Sequence, residues 1–540
     1  MTERTVRSQT GLPRAAYLWA SIAATIFLYL RNFVLPGAPI AALGDQMLFF
    51  GRAVHILHGK LIYRDVFELV TPGTDLLYAA LFKVFGIHAW VMSACTVAVG
   101  LTGFLIVTSI AAEMFQGMVT LLPGFLFLIF DFNSASDITH HWYSTLAALA
   151  SARLLMRGTG PLRSIAAASL CALSVLFTQT QGSFAFIALL AYLVWKKRSE
   201  SPGKDIWLSP AAFVLSFAAI VSGVLGYYAY MAGPHVILFD LVEFPLKFLS
   251  SGNFNSPRTY LQQFPSIHSI GDIYRAVPFV FIYALVPYVY LAGLYQLWSR
   301  RGQLRPHVRD PLILLHMVGI ALFLAVASGP RFFRLCTVAP PAILVCVWLL
   351  NGQLRAVKLS RNLLWIAATA FAIALSIRRQ VEWHGVLDLP IGRTAFTHRQ
   401  EYNQFQWLAQ HTHPGDRFFN STAVSLFLQL ETPTLVELIN DEDFTRPEQV
   451  TAVINWLQQQ PAKFIVMYPE SDSYSETRSN SARFRRYVAA NYQRVQVFPL
   501  FESTWYEEVW EPKLTTASSP EAREWNSDSR EIRRQLPPQN

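Results

Sequence analysis

Three groups of side chains in this 540-residue chain have the types and spacing to do chemistry. The first is Asp45, in Gly44-Asp45-Gln46, directly after a long apolar run. A carboxylate there can take a proton. It can also cap the segment that follows, in which Met47, Phe50, Val54 and Leu57 recur at helical spacing and suggest an interfacial helix. The two roles are compatible, because a cap also holds the carboxylate in place. The second group is Asp131, Asp137, His140 and His141 in DFNSASDITHHWYS, between two apolar runs. Asp137, His140 and Asp131 read as a second acidic site assisting the first, as ligands of a divalent cation, or as a short polar loop with Trp142 and Tyr143 in an aromatic belt. His141 is assigned to the loop. Adjacent histidines point apart on a helix and the spacing matches no standard metal site, so a divalent metal is allowed by residue type and not required. The third group is Arg331 and Arg334 in SGPRFFRLCTVAPP. A guanidinium fork matches phosphate geometry; the competing reading is snorkelling from helix ends.

The elements that must position these groups are membrane helices. The chain is 53% hydrophobic and only 15% charged, with a mean hydropathy of +0.31. Its charges are clustered, leaving long uncharged runs that a soluble core does not need and a bilayer does, at roughly 20 apolar residues per helix. Candidate spans are 15–35, 89–112, 118–131, 142–156, 164–179, 183–195, 208–232, 276–298, 311–327, 335–350 and 362–378, about eleven in all. Arg4, Arg7 and Arg14 precede the first run, which is too long for a signal peptide and reads as a retained first helix with a cytoplasmic N-terminus.

With the N-terminus inside, the even-numbered loops carry the basic residues: Arg153, Arg157 and Arg163; Lys196, Lys197, Arg198 and Lys204; Arg300, Arg301, Arg305 and Arg309; Arg355, Lys358 and Arg361. The outer loops 131–141 and 180–182 contain no Lys or Arg. This is the positive-inside bias. It accounts for the net charge of +9 without nucleic acid. It also places Asp45, Asp137, the 233–275 loop, the two arginines and everything after 378 outside the cytoplasm. Positive charge at Arg331 and Arg334 opposes the rule there, which favours a functional role. The four cysteines, Cys95, Cys171, Cys336 and Cys346, lie in apolar runs without paired spacing and read as small buried hydrophobes.

After residue 378 the composition becomes that of a soluble domain. Helices are expected at 399–412 and 446–460, where Val450, Val453, Ile454 and Leu457 share a face, and strands at 417–420, 463–467, 494–500 and 505–510. The domains expected are thus a membrane domain over 1–378 with a first outer loop at 36–88, a small α/β extracytoplasmic domain over 379–512, and a disordered polar tail over 513–540.

The first loop, with GDQ at its start and GKLIYRDVFELVTPGTDLLYAALFKVFG at its end, resembles the first-loop signature of GT-C integral-membrane glycosyltransferases. The nearest likeness is to glycosyltransferase family 39, the protein O-mannosyltransferases and the aminoarabinose transferase of lipid A. WLAQHTHPGDRFF resembles the helix and turn of their soluble domain. One departure is that many members have Asp-Glu where this chain has Asp45-Gln46, which keeps a single carboxylate.

The resemblance implies a polytopic helical fold in the bacterial inner membrane. The implied activity moves a sugar from a polyprenyl-phosphate donor to a glycan, lipid or protein acceptor on the extracytoplasmic side, with inversion. Asp45 would be the base and Arg331 and Arg334 would face the lipid phosphate. Tyr63, Arg64 and Asp65 would line the sugar site or merely brace the loop. Gln179 and Gln181 would bind sugar hydroxyls or merely mark a turn. The loop 233–275, with Asp240, Glu243, Lys247 and Arg258, reads by its length as a gate. The alternative function is a transporter or flippase of lipid-linked sugars. Such proteins tend to show repeats and ionisable groups inside their spans.

Overall fold

The computed structural model describes residues 12–513 except 201–203, 250–255, 261–264, 266, 269–271, 302, 352–354, 440–444, 469–474 and 501–504. The tail expected to be unstructured lies, from residue 514, outside the described residues, as do Arg4 and Arg7. The described chain is mostly helical, with small sheets confined to the first loop and the C-terminal region.

Among the described residues, six helices are long and apolar enough to cross a membrane: Ala89–Ala111, Gly117–Ala135, Leu208–Ala232, Arg275–Ser299, Pro306–Val326 and Leu359–Val381. A seventh span is formed if Phe332–Val338 and Pro340–Leu349, bent by 67° at Ala339, count as one. Only 17% of the apolar window of Leu208–Ala232 and 11% of that of Leu359–Val381 is buried in protein. Such uncovered hydrocarbon is what a lipid-facing helix presents. These helices are those of an integral membrane protein. The other expected spans fall on Arg14–Asn32, His140–Met156, Pro161–Phe177 and Gln179–Glu200, which are shorter or end in polar residues.

The loops sort into two faces. On one, Glu113 pairs with Arg153 at 2.5 Å and with Arg157 at 3.6 Å. There too Lys196 pairs with Asp310 at 2.6 Å and with Glu200 at 3.1 Å. On the other, Asp45 meets Asp137, His140 meets Thr178, and the C-terminal region packs on the first loop. The groups that could do chemistry and those that carry the loop arginines are therefore on opposite ends of the bundle.

Three first-loop elements build the chemical face. The short ribbon Phe33–Val34 with Ala38–Pro39 is extended by the hairpin Gly385–Leu389/Gly392–Phe396, through pairing of Ile40 with Ala395. The helix Gln46–Leu57 follows, then Gly73–Phe85. The expected stripe of the first of these helices does not lie free on a membrane surface. Met47 and Phe50 are buried against protein, with Phe50 stacked on Tyr78 at 4.1 Å, and Val54 and Leu57 are half-buried, Val54 beside the C-terminal region. A membrane surface and a protein surface ask for the same apolar stripe, so periodicity alone does not separate them.

The C-terminal region holds a four-stranded sheet in the order Phe418–Phe419, Phe464–Met467, Trp505–Pro512, Tyr492–Leu500, parallel at the first pairing and antiparallel after it. Helices Pro447–Gln459 and Ser475–Asn491 close a core of Val450, Val453, Leu457, Ile465, Phe484 and Val488. The 233–275 segment begins as helix. Ile237 and Leu241 pack with Tyr63 and Tyr228, and Phe244 lies edge-on to Phe67 at 4.9 Å, which anchors this part to the first loop.

Candidate functional site

Asp45 stands at the N-cap position of Gln46–Leu57, yet its side chain makes no cap hydrogen bond. The cap comes from across the bundle. The Asp137 carboxylate accepts the N–H of Asp45 at 2.8 Å and that of Gln46 at 3.0 Å. The Gln46 amide oxygen in turn accepts the N–H of Ile138 at 3.1 Å. A negative charge on unpaired helix N–H groups is favourable, and here it pins the two outer loops together. Asp45 is thereby left solvent-accessible with its carboxylate unused.

The electrostatics fit that division of labour. Partial desolvation by the protein around it raises the Asp45 carboxyl above its ordinary value, and Arg334 and then Arg331 pull it down. Asp137 is pushed up to about 7, by burial first and then by the charge of Asp45, against its two backbone hydrogen bonds. Two carboxyls this close share charge as a pair.

Gly44 makes the cap geometrically feasible. A Cβ at this position would lie 2.5 Å from Asp137 Oδ2 and 2.7 Å from its Cγ. Gly44→Ala should push the carboxylate off the helix end and destabilise the protein by about 1–3 kcal/mol, the range for stranding buried hydrogen-bonding groups. Thermal unfolding of the purified protein checks this. If the cap is what is lost, Asp137→Ala adds little on top of Gly44→Ala; full additivity would place the two effects elsewhere.

Arg334 and Arg331 are the cations whose field acts on Asp45, which brings the first and third candidate groups into one neighbourhood. Arg334 also neighbours His140 and His141. The two imidazoles do not diverge: their rings lie with centroids 4.0 Å apart, tilted by 37°. His140 bonds Thr178 Oγ1 at 2.8 Å, while His141 lies 5.5 Å from the Phe333 ring with the fully buried Gln181 beside it. His141, assigned to the loop from the sequence, thus stands among the candidate groups, and only its neighbours in space reveal that.

Other expected residues do not join the site. Asp131 is fully buried within Gly117–Ala135 beside the Cys336 thiol. Among the described residues no three His, Cys, Asp or Glu side chains are placed to hold a metal ion; Asp131, Asp137 and His140 therefore do not form one ligand set. Tyr63 is buried with φ of 70° and donates its hydroxyl to Val70 O at 2.8 Å. Arg64 pairs with its neighbour Asp65 at 2.8 Å, and Asp65, held down to about 2 by that arginine, accepts the N–H of Leu61. These three brace the loop. Gln179 also ties the fold together, donating to Leu69 O at 2.8 Å.

Sequence reading missed a second charged cluster. Arg52, buried on the first-loop helix, pairs with Glu68 and, at 3.2 Å, with Glu437 of the C-terminal region. Asp75 is the next charge around it. The signal available was an arginine within one turn of the apolar stripe, whose partners lie far off in sequence.

No family model matches this chain, and comparison with curated proteins finds no match either.

Proposed function

We propose that this protein is an integral-membrane inverting glycosyltransferase of GT-C type, similar to family 39, that takes a sugar from a polyprenyl-phosphate donor. The observation that carries the reading is the setting of Asp45: a free carboxylate on a pinned helix end, within the field of two arginines. An acceptor hydroxyl is a poor nucleophile. Asp45 takes its proton as the hydroxyl oxygen bonds the anomeric carbon, and the bond from that carbon to the phosphate oxygen breaks on the opposite side. The leaving phosphate gains negative charge, which Arg331 and Arg334 stabilise. A single displacement of this kind inverts the anomeric centre.

The eleven-span topology is supported by the alternation of loop contacts between two faces, counting the bent pair as one span. The positive-inside bias supports an N-terminus in the cytoplasm and a C-terminal α/β domain outside, and the resemblance to family 39 supports a bacterial inner membrane. Bilayer lipid, the lipid-linked donor and a glycan, lipid or protein acceptor are its partners. The flippase reading is the alternative. Asp131, ionisable and buried within a span, is the feature that speaks for it.

The test is transfer by the purified protein from a panel of polyprenyl-phosphate sugars. Consumption of at least one donor with release of polyprenyl phosphate is expected, and movement of donor across liposomes without cleavage would replace the enzyme by the flippase. Arg331→Ala should raise the donor KM by about ten- to a hundredfold, as loss of a charge-assisted hydrogen bond of about 1.5–3 kcal/mol requires. An equal rise in the acceptor KM would remove Arg331 from the phosphate.

A further inference from the structure

The far half of the first-loop helix and the C-terminal region enclose a cleft of about 570 Å³, joined to a second of about 310 Å³. Val54, His55, His58, Gln429, Leu430 and Thr432 line both. We propose that this cleft binds the distal part of a neutral, hydroxyl-rich acceptor, a glycan chain whose reacting end lies at Asp45. The inference rests on the transferase reading for its purpose and on the cleft alone for its chemistry.

Four observations point to a polyol. The lining carries no excess charge: Lys60 is offset by Glu431 in the larger lobe, and Glu437 in the smaller is paired with Arg52. A phosphate-rich headgroup or an acidic peptide would meet no cationic cluster. The remaining polar groups are hydrogen-bond donors and acceptors, namely Gln429, Thr432, Thr434 and the rings of His55 and His58. Of these, His55 is kept uncharged, pushed down to about 4 by burial and by His58, Arg52 and Lys60.

In the smaller lobe, Glu437 Oε1 is buried with no hydrogen-bond partner. A buried acceptor left unsatisfied is costly, and a ligand hydroxyl satisfies it. In the larger lobe stands the Trp456 indole, braced by the Arg417 guanidinium 3.6 Å from its centroid, a fixed apolar surface of the kind sugar rings pack on. A mostly apolar hollow with a few placed polar groups is the usual form of a small-ligand site.

Position supplies the link to transfer. His55 and Asp45 are on the same helix ten residues apart, roughly 15 Å at 1.5 Å per residue. A chain held in the cleft is therefore too far from Asp45 to react there, and reaches it only if it extends along the helix. The cleft selects for extended acceptors rather than performing chemistry.

The test uses the full-length protein in nanodiscs and saturation-transfer NMR, with neutral oligosaccharides of graded length, inositol phosphates and Ser/Thr-rich peptides as probes. Oligosaccharide binding that strengthens with length is expected. Thr434→Trp, which fills the larger lobe, should weaken it about tenfold or more, and His58→Leu, which removes a hydrogen bond without adding bulk, about threefold or more. Binding of inositol phosphates or peptides in place of oligosaccharides overturns the proposal, as does oligosaccharide binding unchanged in both variants. The assay needs no donor. A cleft that binds glycan in a protein that transfers nothing would overturn the transferase reading and leave the cleft standing, whereas transfer without glycan binding would do the reverse.

Discussion

Asp45→Asn is expected to lower sugar transfer by about 10²–10⁴-fold, the contribution of a positioned general base, while the protein accumulates and binds the donor as before. The variant is a clean probe because of how the helix end is built. The Asp45 side chain makes no hydrogen bond to its own helix, and the bond that pins the position is donated by its backbone N–H to Asp137. An asparagine side chain changes neither. It does remove a charge next to Asp137, whose carboxyl stands at about 7 in part because Asp45 is ionised.

Two pH effects follow. In the wild type, transfer should fall as the pH drops through the apparent pKa of the pair, which lies above the usual carboxylate range because both carboxyls are raised. For stability the sign is opposite. Asp137 binds its proton more tightly in the folded protein than at its ordinary 3.8, so it favours the fold at low pH and that contribution is lost as the pH rises from about 4 through about 7. In Asp45→Asn this slope should become shallower. A variant that transfers sugar at near-normal rate, with the acid limb unmoved, would take Asp45 out of the base role and leave it a solvent-facing residue on a capped helix.

How far these features could be read from the sequence depends on whether their cause is local. The long spans were legible because a bilayer imposes length and apolarity on each one separately. The C-terminal helix carrying Val450, Val453 and Leu457 was legible because one face is buried at a fixed period. The strands 492–500 and 505–512 were also legible in outline, since β-branched and aromatic residues recur in each. Asp45 stood out by its place at the end of an apolar run. Its cap, however, is Asp137, 92 residues away, and no local pattern distinguishes a side chain that caps its own helix from one that caps another. The same limit hid His141, whose neighbour Arg334 is almost two hundred positions on, and misplaced Asp131, six residues from Asp137 but turned into the bundle by the helical stretch that ends at Ala135.

The buried cluster around Arg52 is the plainest case of non-local structure, and its loss should have the largest effect on the fold. Arg52→Met is expected to cost about 3–5 kcal/mol, the range for removing one partner of a buried ion pair and leaving the other uncompensated. Here one cation serves several carboxylates. Glu68 and Glu437 both pair with it, Asp75 lies within the same field, and burial raises all three carboxyls, Glu437 to about 7. Glu68 also accepts the N–H of Val70 at 2.9 Å, which shapes the loop leading to Gly73–Phe85. Glu437 brings in the C-terminal region, whose helix Thr422–Leu428 packs on the same first-loop helix.

Removing the cation therefore acts on a joint between two parts of the chain, and faster proteolysis of the C-terminal region should accompany the loss in thermal stability. Arg52→Lys should rescue only in part, because an ammonium cannot bridge two carboxylates through a planar fork. The deficit should shrink as the pH falls, since carboxyls with raised values take up protons in the folded state before the unfolded one does, and a protonated cluster no longer needs its counter-charge. A small deficit that does not change between about pH 5 and 8 would mean that the three carboxyls are neutral at all working pH values, with Arg52 contributing packing rather than charge.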